Sequence, residues 1–240
     1  MQDPELAGYV KSHHQVATAP ASLTTDDWPF FYQHEPGLPS AVIIISLILL
    51  VLGWLFLRDT GISAAALNWH FFFLGAGFML LEAQIISKMA LLFGTTWVVN
   101  SIVISGLMVL IVGSNALIEW KPNLGFGLAY AGIFLSIVVS YVIPIERFFF
   151  SSFWMKALTA TLVMCLPVFF AGMVFIRSFA SAGFQGEALG SNLFGALTGG
   201  LLETLSFWTG IRSLLIVAAL LYLASALFLK RRAALPLAQT

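Results

Sequence analysis

The sequence predicts an all-α protein, a polytopic bundle of about seven transmembrane helices. Three observations carry that expectation. Hydrophobic residues make up 60% of the 240 and charged residues only 9%, whereas soluble domains carry about 25% charged residues; mean hydropathy is +0.95. Seven apolar runs are long enough, or nearly so, to cross the ~30 Å of hydrocarbon that takes about 20 helical residues. Five tryptophans (Trp69, Trp97, Trp120, Trp154 and Trp208) fall at or near the ends of those runs, where indole rings prefer the membrane interface. The same composition, with 11 basic and 11 acidic residues and Cys165 as the single cysteine, excludes a disordered chain, a nucleic-acid binder and a disulfide scaffold.

Residues 1–40 form a polar arm. They hold five of the 11 acids, three of the four His and five of the nine Pro, with Lys11 as the one basic residue. The arm lacks the basic start and apolar core of a signal peptide. The membrane block spans 41–232, and 233–240 is a short tail. Its apolar runs are 41–57, 71–93, 97–118, 124–143, 157–179, 188–208 and 212–229. Gly94-Thr95-Thr96 alone joins the second and third runs, which predicts a tight antiparallel hairpin. Pro122 separates the third run from the fourth, Pro144 ends the fourth, and Pro167 should kink the fifth. Barrel strands would alternate in polarity over about ten residues, and these runs do not.

Seven crossings put the chain ends on opposite sides. Arg58, Lys121, Arg177, Lys230, Arg231 and Arg232 then face one side, and Lys11, Arg147, Lys156 and Arg212 the other. The positive-inside rule places the first set in the cytoplasm. The glycine-rich sixth run is the one that could be re-entrant, which would leave six crossings.

Ionisable residues inside a bilayer cost about 2.5–3.5 kcal/mol at its centre. Apart from Arg212, the first residue of the seventh run, four fall within the runs: Glu82, Lys88, Arg177 and Glu203. Arg177, near an end, can snorkel, and Lys88 can do the same less easily. A short carboxylate cannot, so Glu82 and Glu203 should face the bundle interior or a wet cavity. They serve there either as interhelical glue, alone or with Lys88, or as the lining of a substrate or ion pathway. Ser191, Gly195, Gly199 and Glu203 recur every four residues, and Asn192 is nearly eclipsed with Glu203. This small-residue face should let a neighbouring backbone approach closely. Gly75 lies on the face of Glu82, and both acids follow a Leu-Leu pair, which suggests a remote internal repeat. His70, beside Trp69, reads as an interfacial histidine. His13-His14 lacks further ligands nearby, and no metal or cofactor motif is present.

Three stretches resemble a known family. Thr24-Thr25-Asp26-Asp27-Trp28-Pro29-Phe30-Phe31-Tyr32 is similar to the segment that closes the soluble domain in bacterial membrane proteins related to spermidine synthase. The runs from Phe72 to Gly94 and from Gly190 to Leu215 are similar to membrane helices of that family. The resemblance covers about half of the chain. It implies the C-terminal membrane half, without the glycine-rich nucleotide loop of the aminopropyltransferase domain, so it does not imply aminopropyl transfer by this chain. It also implies a cytoplasmic N-terminal side, opposite to the charge count.

The expected function is therefore that of a membrane module, in a bacterial inner membrane, with the lipid bilayer as solvent. It would anchor a soluble aminopropyltransferase-like protein or domain and pass a small cationic or amphiphilic molecule such as a polyamine. Glu82, Glu203, Lys88 and Asn192 would line the pathway. Ser191, Gly195, Gly199 and Gly75 would pack helices, and Asp26, Asp27 and Trp28 would dock the partner, although the Asp pair also suits a cap or loop. The alternative is a purely structural subunit among other membrane subunits.

Overall fold

The computed structural model describes residues 24–30, 33, 35–59, 67–94, 97–148 and 152–234. Most of the arm, with Lys11, His13 and His14, lies outside them, as do Phe31, Tyr32, Thr95, Thr96 and the tail from Leu235. Seven long helices are described: α1 (Ser40–Asp59), α2 (Trp69–Phe93), α3 (Trp97–Trp120), α4 (Phe126–Val142), α5 (Phe153–Ala180), α6 (Gln185–Leu202) and α7 (Ser213–Ala234). Short 3-10 turns cover Ile145–Phe148 and Glu203–Leu205, and one helical turn covers Ser206–Thr209. No strand occurs among the described residues. The all-α bundle of about seven helices is thus the observed architecture.

Each helix follows from its sequence, with two departures at the ends. The fifth run extends into a 28-residue helix that stays helical through Pro167. The sixth stops at Leu202 instead of continuing to 208. There the Thr204 hydroxyl donates to the Leu201 carbonyl at 2.7 Å, and that of Thr209 to the Leu205 carbonyl at 2.9 Å. Such back-bonding competes with the regular helical ladder.

Four helices are long and apolar enough to cross a membrane: Trp69–Phe93, Asn100–Trp120, Phe153–Ala180 and Ser213–Lys230. Ser40–Phe56 and Phe126–Val142 are apolar but shorter. The five tryptophans at helix ends are all exposed.

The contacts fix the directions. The Trp69 and Phe73 rings lie near Phe228, while Tyr222 packs on Gly77, so α2 and α7 are antiparallel. Ser191 meets Asn68, Gly195 meets Phe72, and Gly199 meets Ala76, so α2 and α6 are parallel. Gly106 packs on Thr161 and Gly172 on Ser114, so α3 and α5 are parallel as well. α2 is the centre, packed on α3, α5, α6 and α7, while α1 touches the rest mainly through α6. The Ile211 N–H donates to the Asp27 carbonyl at 2.8 Å. α7 leads away from that point, so its far end lies about 30 Å from the arm.

Candidate functional site

The α2–α6 seam is built on small residues. At Gly195 and Gly199 a Cβ would collide with the Phe72 and Ala76 carbonyl oxygens, and at Gly75 with that of Asn192. Backbone therefore meets backbone along three turns, and only glycine fits. Polar side chains fasten the same seam. Ser191 Oγ accepts the Asn68 N–H at 2.9 Å, and Asn192 Nδ2 donates to the Phe71 carbonyl at 3.2 Å.

Beside the seam lies a cavity of about 530 Å³ between α2, α3, α5 and α6. Leu74, Phe78, Ile111, Ala171 and Phe175 supply apolar wall, and Asn115 and Asn192 supply the amide groups. Among the described residues, no charged side chain lines it. The volume falls within the ~300–1,000 Å³ of small-molecule pockets. Glu82 is four residues beyond Phe78, so it continues the face that Leu74 and Phe78 present.

Both acids are half-buried. Glu82 sits on the central helix, and Glu203 opens the 3-10 turn where α6 ends. Lys88 pairs with neither. It is buried, and its Nζ donates to the Ser140 carbonyl of α4 at 2.9 Å. Its neighbours are at the arm's end of the bundle, where Asp26, Asp27, Lys88, Glu146 and Arg212 surround a small cavity with Leu91, Ile145 and Ile211.

The arm is latched at that end. Asp27 Oδ1 accepts the Arg212 N–H at 2.7 Å. Gly210 adopts φ +86 with the Asp27 carboxylate against it, a left-handed turn that a side chain would both strain and crowd. Trp28 is buried, and its Nε1 donates to the Phe207 carbonyl at 2.8 Å. Asp27 and Trp28 are thus engaged within the chain, while Asp26 stays exposed.

Sequence reasoning missed the other end of α2. His70 reads as interfacial, yet it is buried. Its Nε2 lies 2.8 Å from Ser178 Oγ of α5, and its Nδ1 2.9 Å from Ser225 Oγ of α7. Tyr130 of α4 reaches Ser225 Oγ at 3.0 Å. The adjacent Trp69 drew the reading toward the interface, and nothing in the local sequence pairs His70 with serines more than 100 residues away. Arg177 keeps its guanidinium 4.9 Å from the Phe126 ring, in keeping with a side chain near a helix end. Among the described residues no three His, Cys, Asp or Glu converge as metal ligands do.

An apolar all-helical bundle with exposed tryptophans at its helix ends, and a mostly apolar cavity between its helices, defines a membrane protein. No known family profile, characterised protein or solved structure matches the chain.

Proposed function

We propose that the chain is a multi-pass module of a bacterial inner membrane that binds a small amphiphilic molecule between its helices and anchors a soluble partner at the arm's end. The observation that carries this reading is the cavity of about 530 Å³, apolar but for two amides. An apolar body suits its walls, and the carboxamides of Asn115 and Asn192 suit a neutral hydrogen-bonding group. A cationic group on the same molecule would extend to Glu82, one turn further along α2. The latched arm, with Asp26 exposed above Lys88 and Arg212, offers a rigid polar edge for a soluble protein. The resemblance to spermidine-synthase-like proteins makes an aminopropyltransferase-like protein the first partner to test.

The test uses a dansyl-labelled long-chain amine and the protein in nanodiscs. Ile176 of α5 also lines the cavity, and the expected result is saturable binding that Ile176→Trp abolishes by filling it and that Glu82→Gln weakens about tenfold, equivalent to ~1.4 kcal/mol. Binding that never saturates, or that ignores Ile176→Trp, would remove the amphiphile reading. For the partner, pull-down of a soluble aminopropyltransferase-like protein should be lost on Asp26→Lys without a change in thermal stability.

The second reading is a structural subunit whose polar residues only join helices. Its support is that Asn192 and Ser191 already bond across the α2–α6 seam. It predicts that Gln is tolerated at both Glu82 and Glu203 and that no amine binds.

A further inference from the structure

One face of α2 carries polar side chains toward both of its ends, with Gly77 between them. His70, Gly77, Gln84 and Lys88 fall within about 40° of one another at ~100° per residue. His70 and Lys88 are about 27 Å apart along the axis at ~1.5 Å rise per residue, close to the ~30 Å of a hydrocarbon core. The helices around this face present polar groups to match it: Tyr130 and Ser140 from α4, Ser178 from α5, and Tyr222 and Ser225 from α7. At one end, His70, Ser178, Ser225 and Tyr130 form the hydrogen-bonded cluster described above. At the other, Lys88 holds the Ser140 carbonyl.

Along this face, three buried polar atoms lack protein partners among the described residues. Gln84 Nε2, Tyr222 OH and Ser140 Oγ are buried and make no hydrogen bond among the described residues. Tyr222 is 0% exposed, and Gln84 and Ser140 are each 1% exposed. Buried polar groups nearly always find a partner, and where protein supplies none, ordered water does. The geometry brings two of them toward each other. Side chains lean toward the N-terminus of their own helix. Because α2 and α7 are antiparallel, Gln84 leans toward Tyr222 and Tyr222 leans toward Gln84. Gly77 clears the space for the Tyr222 ring, which would lie 2.9 Å from a Cβ there.

We propose that this column holds ordered water and conducts protons between the two ends of the bundle. At His70 a proton binds one ring nitrogen while the other nitrogen releases its own to the hydroxyl bonded to it, so the imidazole ends neutral. Each hydroxyl or water accepts on oxygen and releases its original proton onward. At the far end Lys88 releases one proton to the mouth and takes one from the column. The net result is one proton in and one out, with no bond between heavy atoms changed. The titratable and charged groups facing the column are His70, Tyr130, Tyr222 and Lys88. Asp26, Asp27, Glu146 and Arg212 stand at the Lys88 mouth, and Arg177 lies beside Ser178. The column belongs to a different face of α2 from the cavity, so it stands or falls independently of amphiphile binding.

The test is proton flux into liposomes carrying the full chain and a trapped pH dye, driven by a potassium gradient with valinomycin. Flux at least tenfold above protein-free liposomes is expected. Gln84→Leu and Tyr222→Phe should each reduce it at least tenfold, and Ile44→Leu on α1 should leave it unchanged. Flux at the protein-free level, or flux unaffected by both column variants, would overturn the proposal. Should either variant misfold, Gln84→Cys in a Cys165→Ala chain decides: a small water-soluble thiol reagent should label it, and complete protection would also overturn the proposal.

Discussion

α1 and α2 are both long apolar helices, and they end up in opposite places. α1 is apolar on every side, and Ile43, Ile44, Leu47, Ile48, Val51 and Leu52 are all exposed. It meets Phe194 and Leu197 of α6 through Gly53 and Trp54. α2 carries Glu82, Gln84, Lys88 and two glycines, Gly75 and Gly77, yet it is the most enclosed helix of the bundle. In water the more apolar helix would be the core. In lipid, apolar surface gains nothing by leaving its solvent, and polar or small residues decide which helices meet. Burial here follows polarity and size, the reverse of the soluble rule.

That contrast can be broken or sharpened by substitution. The largest effect is expected at the α2–α6 seam. Gly195→Leu forces a side chain into the Phe72 carbonyl, so thermal unfolding in detergent should show a loss of more than ~3 kcal/mol, at the top of the overpacking range. On α1, Ile48→Lys should cost about 2.5–3.5 kcal/mol in a membrane-insertion assay if that face meets lipid. An insertion equal to wild type would place α1 outside the hydrocarbon and weaken the comparison. Lys88→Met on α2 removes the donor to the Ser140 carbonyl, and the unpaired oxygen should cost about 1–3 kcal/mol in the same unfolding measurement. Asp27→Ala removes the bond to Arg212 from the latch and should cost about 1 kcal/mol, with the Trp28 fluorescence shifting to the red. Ile44→Leu on α1 should change stability by less than ~0.5 kcal/mol.

The helices and their packing residues were legible because each depends on short-range pattern. Apolar runs of membrane length mark helices, and the four-residue recurrence of Ser191, Gly195 and Gly199 marks a close-approach face that α2 does occupy. The acids at 82 and 203 were expected in the bundle interior or a wet cavity, and each is half-buried. What lay beyond reach depends on which helix stands beside which. Lys88 bonds a carbonyl 52 residues away, and His70 meets serines at separations of 108 and 155. The Asp27–Arg212 latch spans 185 residues. The cavity needs four helices at once. Helical periodicity shows which face a residue occupies, but not what stands opposite it.

The lockstep of α2 and α6 has an electrical consequence. Neighbouring helices in an up-and-down bundle are usually antiparallel, and their macrodipoles oppose each other. These two run the same way at backbone distance, so their dipoles add. Each helix start is equivalent to about +0.5 of an elementary charge. The starts of α2 and α6 therefore lie side by side at the end that holds Asn68 and Gln185, next to the oppositely directed ends of α5 and α7, and Glu187 lies there in the first turn of α6. An acidic side chain is what such a pair of helix starts favours, as Glu187 illustrates. Neither helix's composition would suggest that two positive helix ends lie side by side.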